Sequence, residues 1–332
     1  MEPVRTNVVG LSGVYVDPLW RVPVRLTAVE TDLLRTGPLR RLHFIAHGGA
    51  SALSTVQSYS RLEHTLGVLA LVAHFRPADA LLRAAALLHD IGHLPLSHSC
   101  EGVAELDHHA LGALLLRTSP VQPVLEKHGI SPEAVAAVLD GQPPTPLTGR
   151  PGLLSLDHLD SYARSGRAAG RLDADPAALL GRLELTDTAV SADRETAASL
   201  VDLVCAEAQL HTSWDNVGPV SVVRRLAGQL LASTPLAPAE FARLTDQQLW
   251  SALESCRATR AEATMIRYEP HRLRVTAGHA PGDSSGWDFS LRKIYSSAPL
   301  VSRQPIESSA PELAAKLGAL NSLPTEFRVW WS

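Results

Sequence analysis

The segment HDIGHLPLSH, residues 89–98, concentrates three imidazoles and one carboxylate in a single short stretch. His89 and Asp90 stand at the polar end of an otherwise apolar run, ALLRAAALL. Polar groups carried into a core are costly unless a metal ion or hydrogen bonds satisfy them. An imidazole beside a carboxylate is also a donor set suited to first-row divalent metals. Gly92 and Pro95 break the helix, which lets His93 and His98 turn back toward the same cavity. His64 lies one helix earlier, in RLEHTLG, and Asp157 begins a later helix, in LDHLDSYAR. Two antiparallel helices joined by a short turn set such residues side by side, so three donors converge and Asp157 can supply a fourth. A lone histidine on an apolar helix is usually a hydrogen-bonded core residue. Four donors at 64, 89, 90 and 157 in ordered context read instead as a metal site.

The elements that must position these residues are helices. Helical spacing covers 24–47, punctuated by Gly37-Pro38, and HGGASALSTVQSYS (47–60) forms a loop into the next helix. Helices are expected over 62–75, 78–89, 108–117, 132–139 and 152–165, then over 195–211, 217–232, 238–244 and 246–258. The stretch 78–89 is apolar on nearly every side, the mark of a buried helix. Residues 7–24 read as irregular or short-strand structure. Beyond Met265 the alternation in IRYEPHRLRV and WDFSLRKIYS, around the turn-rich GHAPGDSSG, reads as a small β-hairpin or sheet. The expected class is mostly α: a helical bundle core with additional helices and a small β element near the C-terminus. Four regions follow. Residues 1–60 are a leading segment packed on the core, 61–182 the core, 183–260 a helical extension completing the pocket, and 261–332 a small mixed α/β subdomain.

Composition narrows the function classes. The 332 residues are 45% hydrophobic, ample for a real core. A formal net charge of −4 provides no global field to gather nucleic acid. Cys100, Cys205 and Cys256 lie far apart, arguing against disulfides and thiolate zinc sites and for buried small side chains. No basic, apolar leader or spanning run is evident, so a cytoplasmic location is expected. Of the 14 histidines, His43 and His74 read as structural. His47, in the loop before the first donor helix, is a loose candidate to face substrate. Trp250, Trp330 and Trp331 read as core or interface residues.

The ordered motifs RLEHTLGV, HDIGHLPLSH, HHALG and LDHLDSYAR, with DPLW and LRRLHFI upstream, resemble the HD phosphohydrolase superfamily. Within it they are most similar to the deoxynucleotide triphosphohydrolase branch, over roughly residues 10 to 260. The resemblance implies one divalent transition metal (Mn, Fe, Co, Ni or Zn) on His64, His89, Asp90 and Asp157, with Mg accompanying the substrate. It implies His98 as a catalytic histidine oriented by Glu101, and His109 as a second one that protonates the leaving oxygen. The choice of His109 over the adjacent His108 rests on the spacing to Gly112. Arg61 matches a phosphate-contacting arginine. A homo-oligomer acting on a small phosphorylated substrate, in most such enzymes a nucleotide, is also implied.

The pattern departs from that branch around the substrate. Where triphosphate-binding and sugar-binding residues stand in the family, this chain has His158, Asp160-Ser161, Ser165 and Asn216, and Ala110 replaces a glutamate. Tyr162 keeps the family residue type. His158, Ser161, Tyr162, Ser165 and Asn216 are therefore the candidate substrate residues, together with Arg61. Each missing charge-assisted contact removes about 1.5–3 kcal/mol of binding. The expected activity is thus hydrolysis of a nucleotide or related phosphate ester smaller than, or modified from, an ordinary triphosphate. Two alternatives stand beside it. One is a phosphodiesterase for cyclic nucleotides or single-stranded nucleic acid ends, with a second metal at His93 and His98. The other is a regulatory nucleotide-binding protein whose hydrolase site has decayed.

Overall fold

The computed structural model describes residues 13–118, 120–278 and 286–332. The start of the expected irregular leading segment and most of the GHAPGDSSG turn lie outside the described residues. The rest is mostly helical, with sixteen α-helices among the described residues.

Three helices set the frame, and each opens on a side-chain cap. Ser60 accepts from the Glu63 amide at 3.3 Å to start Arg61–Phe75. Asp79 accepts from Leu82 at 2.9 Å to start Ala80–Leu88, and Ser155 from His158 at 3.2 Å to start Leu156–Ala168. Such caps contribute about 1 kcal/mol each by satisfying an orphan amide. The helix Ala80–Leu88 is buried around most of its circumference, with Leu87 and Leu88 inaccessible to solvent. Truncating either to alanine would cost about 2–5 kcal/mol.

The apolar side chains form two clusters. The first joins Arg61–Phe75, Ala80–Leu88, Leu156–Ala168 and Arg194–His211 with the leading segment. The second gathers Trp214–Ser233, Asp246–Ser255 and Arg260–Tyr268 around the C-terminal strands. Leu94, Leu96 and Cys100, from the segment after Asp90, are anchored in the second cluster. The histidine-bearing loop therefore crosses from one core to the other, and the site lies along that seam.

The strands are short. Val14–Val16 pairs antiparallel with Pro23–Arg25. Leu183–Leu185 pairs with Val190–Ala192, which pairs in parallel with Leu300–Val301. The expected C-terminal β element is a three-stranded antiparallel sheet. Glu326–Trp331 lies between Leu273–Ala277 and Trp287–Ser290, so the two expected strands flank the chain's last strand. Residues 266–268 of the expected strand instead finish the helix Arg260–Tyr268, which buries Ile266 and Ala263. The helices Val121–Lys127, Pro176–Leu180 and Pro311–Gly318 were not foreseen, being too short for a helical period to stand out.

Candidate active site

Three donor atoms converge where the framing helices meet, and Asp157 approaches two of them. His64 Nε2 lies 3.1 Å from Asp157 Oδ1, 3.3 Å from His89 Nε2 and 3.7 Å from Asp90 Oδ2. His89 Nε2 lies 3.4 Å from Asp90 Oδ2 and 3.7 Å from Asp157 Oδ1. Donors about 2.1 Å from a common ion, in octahedral or tetrahedral array, stand roughly 3.0–3.4 Å apart. The His64, His89 and Asp90 atoms, all within 4.8 Å of one another, could hold one divalent transition ion, with Asp157 beside both histidines.

The remaining ring nitrogens explain why both Nε2 atoms face this point. His89 Nδ1 donates to the Ala86 carbonyl at 2.8 Å, and His64 Nδ1 donates to Asp160 Oδ2 at 2.8 Å. Each ring is thereby fixed in the tautomer that leaves Nε2 available. Asp160 is held in turn by Trp20 Nε1 at 2.6 Å and by the Arg164 guanidinium at 2.8 and 3.1 Å. Arg164 also donates to Asp17 at 2.7 Å and Glu63 at 3.1 Å. The DPLW motif thus supports His64 through Asp17 and Trp20. Gly67 makes room for this network, because a Cβ there would run into Arg164 and Asp160.

The electrostatics match the donor role. Burial works against the charged form of Asp90, but His89, Arg61 and His93 hold its carboxyl well below the usual range. Asp157 is likewise held low: burial is outweighed by the His64 hydrogen bond and the charges of His89 and His64. For His64, burial is outweighed by hydrogen bonds to Asp157 and Asp160, which push its pKa up to about 9. Two ionised carboxylates thus share a pocket with a histidine that carries the proton a cation would displace.

Arg61 donates to Asp90 at 2.9 Å, Ser97 Oγ at 3.0 Å and the His47 carbonyl at 3.1 Å. All three guanidinium nitrogens therefore hold protein groups, orienting Asp90 and the loop as they line the cavity. That loop is strained: Leu96 and Ser97 have φ of 54° and 52°, in the left-handed region. Asp246 holds the conformation, accepting from the Leu96 and Ala46 amides at 2.7 Å each. Ser97 adds a hydrogen bond to the Ala46 carbonyl at 2.6 Å. Gly92 admits the helix His108–Leu116, since a Cβ there would meet the backbone of His108 and Gly112.

A second histidine group lines the adjoining wall. The His93 and His108 rings stack at 4.5 Å, and His98 stands 4.7 Å from His93 and 5.0 Å from His108. One ring nitrogen from each lies within 4.8 Å of the others. His93 Nε2 faces Asp90 Oδ1 at 3.0 Å. Burial, reinforced by the Arg61 charge, holds the His93 pKa down to about 3. His98 projects into the cavity, where solvent reaches its ring, yet it is set deep in the protein; that depth, with His93 and Arg61, also holds it well below the ordinary histidine value. Glu101 does not orient His98 as expected. Its carboxylate accepts from His108 Nδ1 at 2.8 Å and from the His108 amide at 3.3 Å. His109 is exposed at the cavity mouth, its pKa lowered by burial and by His108. The chain positions His108 inward because Asp107, which caps the helix, is followed at once by the residue facing Glu101.

These groups line a cavity of about 520 Å³. His158, Ser161, Tyr162 and Asn216 line it, as does His47, whose Nε2 lies 3.5 Å from Ser161 Oγ. Ser165 is behind the wall rather than in it. It is buried, accepting from Gln57 and donating to Glu207 at 2.5 Å each, and Gln57 and Glu207 are the residues facing the cavity. Sequence reasoning missed Arg224, Phe289, Arg292, Lys293 and Tyr295, which close the cavity from the C-terminal half. The cluster RKIY in an otherwise β-like stretch was the available signal, but only tertiary packing brings it to the metal donors.

Comparison with known proteins agrees with this geometry. Residues 61–148 match the HD domain family, a span that ends before Asp157. The chain is 26% identical over 243 residues to the metal-dependent phosphohydrolase cns2 of Cordyceps militaris, covering 68% of each chain. It is 35% identical over 141 residues to the uncharacterized protein YwfO of Bacillus subtilis, covering 38% of this chain and 33% of that one. In fold it is similar to a hypothetical protein from Aquifex aeolicus, with a TM-score of 0.71, 19% identity and 96% of each chain covered. A phosphohydrolase from Bacteroides thetaiotaomicron is also similar, with a TM-score of 0.68, 14% identity, and 96% of this chain and 99% of that one covered. The chain carries an HD domain of the metal-dependent phosphohydrolase superfamily. It is an HD-domain hydrolase, and among the described residues no helix is long and apolar enough to cross a membrane.

Proposed function

We propose that this hydrolase cleaves a phosphate ester bond in a nucleotide or a related small phosphorylated compound. The convergence of His64 Nε2, His89 Nε2, Asp90 Oδ2 and Asp157 Oδ1 carries the reading. A divalent transition ion held there would supply Lewis-acid chemistry, polarising a phosphoryl oxygen and making a nearby water more acidic.

The chain's own groups supply the rest. Arg61 keeps Asp90 ionised and aimed. His98, neutral near pH 7 and open to the cavity, is suited to accept or pass a proton. His108, paired with Glu101, is better placed than His109 to stabilise a proton on the leaving oxygen. Aromatic rings of Tyr162, His158 and Tyr295 lie on the wall beside Asp157, with His158 stacked on Tyr162 at 5.6 Å. Flat faces of this kind suit a nucleobase. His158 Nδ1 lies 3.0 Å from Ser297 Oγ, which fixes the ring's orientation. The test is phosphate release from a panel of nucleotides and sugar phosphates by purified chain with Mn²⁺, Co²⁺ or Ni²⁺. Release that His89→Ala abolishes supports the reading, and full activity in that variant refutes the site.

A two-metal phosphodiesterase is the second reading, favoured by one observation. His93, His98 and His108 present nitrogens within 4.8 Å, and His93 Nε2 lies 3.0 Å from Asp90 Oδ1. Two ions per chain and cleavage of a cyclic nucleotide or a diester would favour it over the first reading. A homo-oligomer belongs to the same proposal and is read by light scattering.

A further inference from the structure

Besides the metal donors, three cations line the cavity: Arg224 from the helix Trp214–Ser233, and Arg292 and Lys293 from the segment after the strand Trp287–Ser290. They come from parts of the chain nearly seventy residues apart, so local sequence does not account for their meeting.

Arg224 is partly buried, whereas Arg292 and Lys293 line the cavity as exposed side chains. Arg224 donates to the Ser99 carbonyl at 3.3 Å and lies over the Phe289 ring at 5.2 Å. Lys293 Nζ lies 4.8 Å from the Tyr295 ring centre. Arg292 reaches toward Glu101, but at 3.9 Å the contact is a loose one. Gly102, with φ of 79°, lets the Arg292 guanidinium approach, since a Cβ there would collide with it. Among the described residues no carboxylate stands within ion-pair distance of Arg224 or Lys293. Burial and the neighbouring Arg292 charge lower the pKa of Arg224. The partly buried Arg224 is repelled by the neighbouring Arg292 charge, and a bound anion relieves that repulsion. The aromatic partners stiffen Arg224 and Lys293, so less side-chain freedom is lost when an anion binds.

We infer that Arg224, Arg292 and Lys293 form a second anion subsite, and that the substrate carries a second anionic group besides the phosphoryl group at the metal donors. The inference rests on the proposed hydrolase reading and narrows it: a singly phosphorylated compound with no other negative group leaves these three cations unengaged. It also answers the loss of cationic residues on the helix Leu156–Ala168, since the positive charge is supplied from the C-terminal segment instead. Two sources share this chemistry, a further phosphate and a carboxylate, and both suit a guanidinium fork.

The test measures binding to the Mn²⁺-loaded full chain by calorimetry, with inorganic phosphate, pyrophosphate and phosphonoacetate as probes. Pyrophosphate or phosphonoacetate is expected to bind at least tenfold more tightly than phosphate. The double variant Arg292→Ala/Lys293→Ala is expected to lose that advantage, about tenfold or more, while phosphate affinity stays within twofold. Arg292→Lys is expected to retain part of the advantage, which a merely structural role would not require. Preference for pyrophosphate assigns the second group as phosphate, and preference for phosphonoacetate assigns it as carboxylate. If all three probes bind equally, or if the double variant weakens phosphate as much as the others, the subsite does not exist. His89→Ala separates the two proposals. Mn²⁺ binding that survives undiminished in His89→Ala overturns the metal-site reading, whereas the Arg292 and Lys293 results bear on the subsite alone.

Discussion

Replacing Asp160 by asparagine would test how the chain holds its first metal ligand. Asp160 is inaccessible to solvent and accepts four hydrogen bonds: from Trp20 at 2.6 Å, His64 at 2.8 Å, and Arg164 at 2.8 and 3.1 Å. Asparagine keeps the shape but turns one oxygen into a donor, which faces Arg164 together with either His64 or Trp20. Arg164 is itself 4% exposed and keeps only Asp17 and Glu63 as counter-charges. Breaking one side of a buried ion pair costs about 3–5 kcal/mol. In a chain of this size that is a fall in melting temperature on the order of 6–10 °C. The second effect is specific. Without the carboxylate, His64 Nδ1 is no longer fixed as the protonated nitrogen, so Nε2 is presented less often. Loss of such an outer partner weakens metal binding by roughly 10–100-fold. Both are measured on the same protein, by thermal melting of the chelated chain and by Mn²⁺ titration. A variant that melts lower but binds Mn²⁺ within twofold of the parent would refute the reasoning, because the network would then be structural support only.

Further outcomes follow from the same geometry. Gly67→Ala pushes a methyl group into Arg164 and Asp160 and should destabilise the chain by about 1–3 kcal/mol, measured by denaturant unfolding. Adding Mn²⁺ at about a hundred times its dissociation constant to chelated protein should stabilise it by about 2.7 kcal/mol, seen as a rise in melting temperature that His89→Ala abolishes. Glu101→Gln removes the carboxylate from His108 and should lower kcat by roughly 10–100-fold while leaving Mn²⁺ affinity unchanged. Burial raises the Asp246 pKa to about 6, above its unfolded value, so the folded state takes up a proton first as pH falls. That contribution is full below about pH 4 and is lost as pH rises through about 6. The difference in melting temperature between the parent and Asp246→Asn should therefore shift across pH 4–6 and be flat from 7 to 8.

That His64, His89 and Asp90 meet, with Asp157 beside the histidines, was legible because residue type and order mark such a group in sequence. Helix starts were legible only to within a few residues: the caps Asp79 and Ser155 begin helices at Ala80 and Leu156, later than the expected starts at 78 and 152. Contacts that depend on which side of a loop faces inward were not. His108 and His109 are identical neighbours, and only the packing of Gly92 against Gly112 decides which one meets Glu101. Ser165 shares a helix with Ser161, but four residues on the helix turns to Gln57 and Glu207 instead of the cavity. Asp160 was given no role of its own in the sequence, and only the fold, through Trp20 and Arg164, sets it against His64. Arg292 and Lys293 were invisible for the same reason: their meeting with Arg224 is long-range.

The most direct test of the central claim is an anomalous difference map from crystals of the full chain grown with Mn²⁺. The account expects a peak within about 2.0–2.3 Å of His64 Nε2, His89 Nε2, Asp90 Oδ2 and Asp157 Oδ1 together. A peak held only by His93, His98 and His108, or none near these four atoms at saturating Mn²⁺, would contradict it.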